Sequence, residues 1–224
     1  MISAERLHSI AFWSHDLNER EVEQARRGVV EKAYARGAFI CHRGDAFESW
    51  TGIVSGLVRF CMTSASGKTA TLAGLRTGSW FGEGTVLKNE PRQYDLVAVR
   101  ETQLALMNRA TFMWLFENSV GFNRYLVRQL NERLGQFIAL LEYDRTLDAT
   151  TRVARSIAWL FNPVLYPVPE SQIEISQEEI GLLSGVSRQV TNSSLKALEG
   201  KGLVRVEHNA LTVLDLPRLR EFGE

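Results

Sequence analysis

The sequence predicts an α+β chain in three parts: a glycine-punctuated β-roll or jelly-roll body, one long amphipathic helix, and a small helical domain closed by a hairpin. Three observations carry this. Between about Tyr34 and Met107, short β-rich runs alternate with glycine at close intervals, the texture of a sandwich or barrel. From Gly121 to about Ala149, apolar residues recur every three or four positions, as on a helix with one apolar stripe. After Ser176, two helical patterns flank Gly185-Val186-Ser187 and lead into two strand-like runs around His208-Asn209.

The elements are taken in chain order. The first thirty-odd residues, the charged run ERLHSIAFWSHDLNEREVEQARRGVVEKAYARG, read as helical, with Ser14 or Asp16 capping a second helix just before Leu17. In the β body, AFICHR, SWTGIVSG, LVRFCMTS, TATLAGL, YDLVAVR and TQLALMN are the expected strands. Gly37, Gly44, Gly56, Gly67, Gly78 and Gly82 are the expected turns. Residues from Ala110 onward return to a helical period, and the long helix carries Phe122, Leu126, Leu130, Leu134, Phe137 and Leu141 as its stripe. That stripe is longer than a small domain covers, so its expected partner is the same helix of a second copy. Asp148 caps the next helix, which places a hinge at Leu147-Asp148. Pro163, Pro167 and Pro169 end that helix and make the NPVLYPVPES segment an extended connection. The expected domains are 1–118, 119–147 and 148–224.

The last domain carries the most specific motif. Ser176 and Glu179 form an S-x-x-E capping box, so a helix starts at Gln177. Gly181 lets a second helix cross closely, Gly185 makes the turn, and Ser187 caps a helix from Arg188 to about Gly200 with Thr191, Leu195 and Leu198 inward. With the hairpin as a wing, this is the layout of a winged helix-turn-helix. Arg188, Gln189, Asn192 and Ser193 then lie on the outer face of its second helix. Arginine donates twice to guanine, and glutamine or asparagine pairs with adenine, so these residues suit base reading. Ser176, Gln177 and Lys196 are placed to hold phosphates. Val190 and Thr191 stand in inverted apolar order; Thr191 faces inward, with its hydroxyl bonded back to the Ser187 carbonyl.

Composition sets the outer bounds. The chain has 224 residues, 45% hydrophobic and 23% charged, with a formal net charge of +0. This is the balance of a globular protein, and the lack of net positive charge weighs against nucleic-acid binding until the local cluster of Arg188, Lys196, Lys201 and Arg205 is considered. No apolar run approaches the roughly 18 residues of a membrane span, and no leader pattern is present, so the expected location is the cytoplasm. Two cysteines, Cys41 and Cys61, exclude a cysteine-ligated iron–sulfur cluster; a redox pair, or haem ligation through Cys41, His42 or Cys61, is the alternative to two structural thiols. No catalytic or metal site is expected. A metal-dependent jelly-roll enzyme of the cupin kind needs converging histidines, and His8, His15, His42 and His208 are scattered.

On the segments GD (Gly44-Asp45), IVSGLVRF, GSWFGEG, RETQLALMNRATF and ISQEEIGLLSGVSRQVTNSSLKALEGKGLV, in that order, the chain resembles the Crp/Fnr family of bacterial transcription regulators over nearly its whole length. The resemblance implies a cyclic-nucleotide-binding-like sensor, a homodimer, binding of double-stranded DNA at a two-fold operator, and contact with RNA polymerase. In cAMP-binding members a Gly-Glu pair, here Gly82-Glu83, holds the ribose, and an Arg-Ser pair about ten residues on holds the phosphate. Tyr94 and Asp95 align with that second pair, and Arg92 falls two positions early. The adenine-reading Thr-Ser of the dimer helix corresponds to Phe137-Ile138. Gly82, Glu83, Arg92, Tyr94, Asp95, Phe137 and Ile138 are therefore the expected effector pocket, with cAMP disfavoured and the effector unknown. A side-chain-filled sensor that needs no ligand is the alternative. Gln189 stands where glutamate is frequent in such members, and Ser193 where a second base-reading arginine often sits, so the resemblance implies an altered operator preference.

Overall fold

The computed structural model describes residues 1–46, 48–63 and 69–223; Gly67, one of the expected turn glycines, lies outside them. The chain divides into two compact units, Met1–Glu132 with Val164–Pro167, and Arg133–Pro163 with Val168–Glu224.

The first unit opens with α1 (Ala4–Ile10), a 3-10 turn (Phe12–Asp16) and α2 (Glu19–Arg27). Asn18, rather than Ser14 or Asp16, caps α2: its side chain accepts from the Glu21 N–H at 3.0 Å, and the Glu21 carboxylate accepts from the Asn18 N–H at 3.0 Å. The helical reading also runs too far, because Val29–Tyr34 is a strand, β1. Next come β2 (Phe39–Cys41), β3 (Ser49–Ser55), β4 (Leu57–Thr63), β5 (Thr69–Arg76), β6 (Trp80–Phe81), α3 (Glu83–Lys88), β7 (Asp95–Ala98) and β8 (Thr102–Asn108). After them stand α4 (Arg109–Asn118) and the long α5 (Val120–Thr146), which continues into the second unit.

Two antiparallel sheets form, in the orders β1-β8-β3-β6 and β2-β7-β4-β5. Ile53, Phe81 and Leu104 from one sheet meet Ile40, Val58, Leu75 and Leu96 from the other, so the inward residues of both build one core. The described turn glycines all take the left-handed conformation, with φ from 80° at Gly37 to 104° at Gly56. A second core joins one sheet to the helices. Trp50 lies 4.5 Å from Trp80 and 5.2 Å from both Trp13 and Phe122, ring centre to ring centre. The Pro-flanked segment read as an extended connection also belongs to this unit: Leu165 and Tyr166 are buried, and the Tyr166 phenol donates to the Gly74 carbonyl at 2.8 Å.

Cys41 and Cys61 are both free and buried. They sit on β2 and β4, opposite Leu96 and Asp95 of the intervening β7. Two strand spacings amount to about 10 Å, beyond the roughly 7 Å a disulfide spans. The redox-pair reading is thereby corrected. Burial pushes the Cys41 thiol up to about 11 and raises that of Cys61. A thiol whose pKa is raised on folding stabilises the fold fully below its ordinary value near 9, and that contribution is lost as pH climbs through the folded value. Native protein should therefore resist thiol reagents at pH 8, and its denaturation midpoint should fall between pH 9 and 11, less steeply in Cys41→Ala.

In the second unit, α6 (Ala149–Trp159) is capped by Asp148, which accepts from the Thr150 and Thr151 N–H groups at 2.8 and 3.2 Å. The Thr151 hydroxyl is the main cause that lowers the Asp148 carboxyl. Then come β9 (Gln172–Ile173), α7 (Gln177–Ser184), α8 (Arg188–Gly200), β10 (Val204–Glu207), β11 (Ala210–Val213) and α9 (Leu216–Arg220). The strands pair in the order β10-β11-β9. No described helix is long and apolar enough to cross a membrane.

Candidate nucleic-acid interface

The expected capping box forms. The Ser176 hydroxyl accepts from the Glu179 N–H at 3.2 Å, and the Glu179 carboxylate accepts from the Ser176 N–H at 2.6 Å. These bonds fix where α7 starts. Gly185 ends it at φ 64°, a left-handed conformation that costs glycine little. A Cβ added at Gly181 would lie 2.6 Å from the Thr191 hydroxyl, so only glycine allows α7 and α8 to cross this closely. Ser187 caps α8 by accepting from the Val190 N–H at 3.4 Å.

Thr191 is fully buried, and its hydroxyl donates to the Ser187 carbonyl at 3.0 Å. Leu195 and Leu198 are buried beside it, as expected. Ser194 joins them, paired with the Thr150 hydroxyl at 3.1 Å. A serine carries no apolar signal, so periodicity does not find that position.

The outward face of α8 consists of Arg188, Gln189, Asn192, Ser193 and Lys196, all exposed. Spaced i, i+1, i+4, i+5 and i+8, they form one stripe about 12 Å long. Arg188, Gln189, Asn192 and Lys196 make no side-chain hydrogen bond or ion pair among the described residues, so their donors and acceptors are available to a ligand. Ser193 differs: its hydroxyl donates to the Val190 carbonyl at 2.9 Å. Ser176 and Gln177 are half-buried at the start of α7. Arg205 is exposed on the hairpin, whereas the Lys201 ammonium lies over the Phe222 ring at 5.4 Å. Asn209 takes φ 57° at the hairpin turn.

The apolar stripe of α5 divides into two. Phe122 and Leu126 are buried in the aromatic core of their own chain and do not lie on an outward seam, correcting their assignment to a dimer face. Beyond them Val127, Leu130, Leu134, Phe137 and Leu141 are exposed, and Ile138 beside them. The first five follow the 3-4-3-4 spacing of a coiled-coil seam.

In the β body, the structure brings Arg92 against Gly82, where the sequence alignment left it displaced. Asn89, at φ 55°, ends α3 and turns the chain back. A Cβ at Gly82 would lie 2.3 Å from an Arg92 guanidinium nitrogen. Arg92 is fully buried; it donates to the Tyr94 phenol at 2.7 Å, the Ser49 carbonyl at 2.7 Å and the Thr85 hydroxyl at 3.4 Å. Burial raises the Tyr94 phenol, and Glu83 is buried at the first position of α3. Asp95 is engaged elsewhere, accepting from the Arg43 N–H at 2.9 Å and the Thr63 hydroxyl at 3.1 Å. Phe137 and Ile138 are exposed on α5.

Comparison with known proteins gives a cyclic nucleotide-binding domain over residues 31–119 and a Crp-like helix-turn-helix domain over 151–222. The chain is 29% identical over 209 residues to the Cyclic AMP receptor protein of Thermus thermophilus, covering 93% of this chain and 95% of that one. It is 29% identical over 188 residues to the cAMP-activated global transcriptional regulator Vfr of Pseudomonas aeruginosa, covering 81% and 88% respectively. Among solved structures, FixK2 from Bradyrhizobium japonicum superposes with a TM-score of 0.72 at 17% identity, over 88% of this chain and 98% of that one.

Proposed function

We propose, for a chain that belongs to the Crp/Fnr family of transcription regulators, that α8 reads an operator in the major groove through Arg188, Gln189 and Asn192. The observation that carries this reading is the exposed polar stripe on α8, in which Arg188, Gln189, Asn192 and Lys196 make no side-chain hydrogen bond or ion pair among the described residues. Lys196, Ser176, Gln177 and the capped start of α8 hold phosphates, which positions the reading residues without adding sequence preference. Members of the family act as dimers. For this chain the partner is a second copy joined along Val127, Leu130, Leu134, Phe137 and Leu141, with 1–118 as sensor, 119–147 as dimer helix and 148–224 as reader. The protein works in the cytoplasm, without catalysis, and engages RNA polymerase once bound. Selection from a random duplex pool should recover two-fold-related half-sites about one helical turn apart. Recovery of unpaired sites, or of no preferred sequence, would overturn the reading.

The relatives' names refer to cAMP; for this chain we propose another effector or none. The Arg92 guanidinium holds the Tyr94, Ser49 and Thr85 oxygens, and Phe137-Ile138 offers no polar side-chain group to a base. The same bonds favour a second reading, a sensor filled by its own side chains. Saturating cAMP should leave the melting temperature unchanged, because a ligand that binds only the folded state must raise it. A clear rise would reinstate cAMP.

A further inference from the structure

Val190 and Thr191 are arranged against stability. Burying valine and exposing threonine would place methyl groups in the core and a hydroxyl in water. The chain does the reverse. Thr191 is fully buried and needs the Ser187 carbonyl to satisfy its hydroxyl, while Val190 keeps its methyls half-exposed in the first turn of α8. A local rule broken on a binding face marks a functional constraint.

The surroundings of Val190 sharpen the point. At about 100° per residue, Val190, Ser193 and Ala197 fall within roughly 60° of one another on α8. Ser193 and Ala197 are exposed, and the Ser193 hydroxyl is turned back onto the Val190 carbonyl at 2.9 Å. Its outward surface is therefore largely Cβ. The reading helix thus has a polar edge, Arg188 and Asn192, and a small apolar edge beside Gln189. Such an edge makes no hydrogen bond to a base. It does complement the one apolar group in the major groove, the thymine 5-methyl.

We propose that Val190, flanked by Ser193 and Ala197, selects thymine through its 5-methyl group at one position of each half-site. This rests on α8 being the DNA-reading helix and adds which base its apolar edge recognises. The test uses the full-length protein and the operator recovered by selection, with each thymine replaced singly by uracil, which removes only the methyl. Wild type should lose about fourfold in affinity per half-site at one thymine. Val190→Ala should lose a similar factor on the parent duplex and become indifferent to uracil at that position. Arg188→Ala should keep the uracil sensitivity. Melting of Val190→Ala close to wild type establishes that the fold is intact, and Val190→Thr, which keeps one methyl, should fall between the two. Equal binding of every uracil duplex by wild type would overturn the proposal, as would undiminished uracil sensitivity in Val190→Ala. Failure to recover any preferred sequence would instead overturn the reading of α8 itself.

Discussion

Leu134→Glu is expected to turn the dimer into monomers at micromolar concentration while leaving each chain folded. Leu134 is 58% exposed in the single chain, so the substitution removes little of that chain's own core. In a symmetric pair the same position meets its copy across the seam, and two carboxylates would be buried together among Leu130, Phe137 and Leu141. Removing such charges from water without a partner costs several kcal/mol each, so a penalty of about 3 kcal/mol or more is a low estimate. That is over a hundredfold in the dimer constant. Sedimentation equilibrium should show the monomer mass, with the melting profile of the chain preserved. Binding to a two-half-site duplex should fall toward that of one half-site, because the second contact no longer benefits from its tether. Phe122→Ala supplies the contrast. It opens a cavity among Trp13, Trp50 and Phe112 and should cost about 3–5 kcal/mol of fold stability rather than association. A Leu134→Glu variant that remains dimeric would refute the seam.

That contrast also explains what could be read from the sequence. Phe122 and Leu126 continue the same period as Leu130 and Leu134, so hydrophobicity alone cannot tell a stripe facing its own chain from one facing a partner. The α5 helix carries both, and the division depends on where Trp13 and Trp50 pack, a long-range fact. The helix-turn-helix was legible because its signals are local. A capping box, a left-handed glycine and a serine cap each act within four residues, and all three formed where expected. Strand β1 was hidden because Val29–Tyr34 continues a charged helical segment, and its pairing partner, β8, begins at Thr102. Arg92 was misplaced for a related reason. Counting residues from Gly82 assumes a regular path, whereas the chain takes a left-handed turn at Asn89 before Arg92, whose guanidinium lies against the glycine.

Arg188→Ala should abolish most sequence discrimination while leaving the salt dependence of binding nearly intact. The residue is the first of α8, exposed and without a described partner, so its removal disturbs no internal bond and exposes no core. A bidentate arginine–guanine contact is worth about 1–3 kcal/mol of discrimination per site, and a dimer makes it twice. Affinity for the selected operator should therefore fall by about two to four orders of magnitude, while affinity for unrelated duplex changes little. The salt slope separates this role from phosphate binding. Each phosphate neutralised contributes about 0.9 to that slope, so Lys196→Ala should lower it by about one per subunit and weaken all sequences alike. With a formal net charge of +0 and few basic residues around α8, the total slope should be shallow, which makes such a change easy to resolve. Fluorescence anisotropy across a salt series, on the selected operator and a scrambled duplex, measures both quantities together. If Arg188→Ala weakens both duplexes equally and flattens the slope, the residue is a phosphate clamp, and base reading must lie with Gln189 and Asn192 instead.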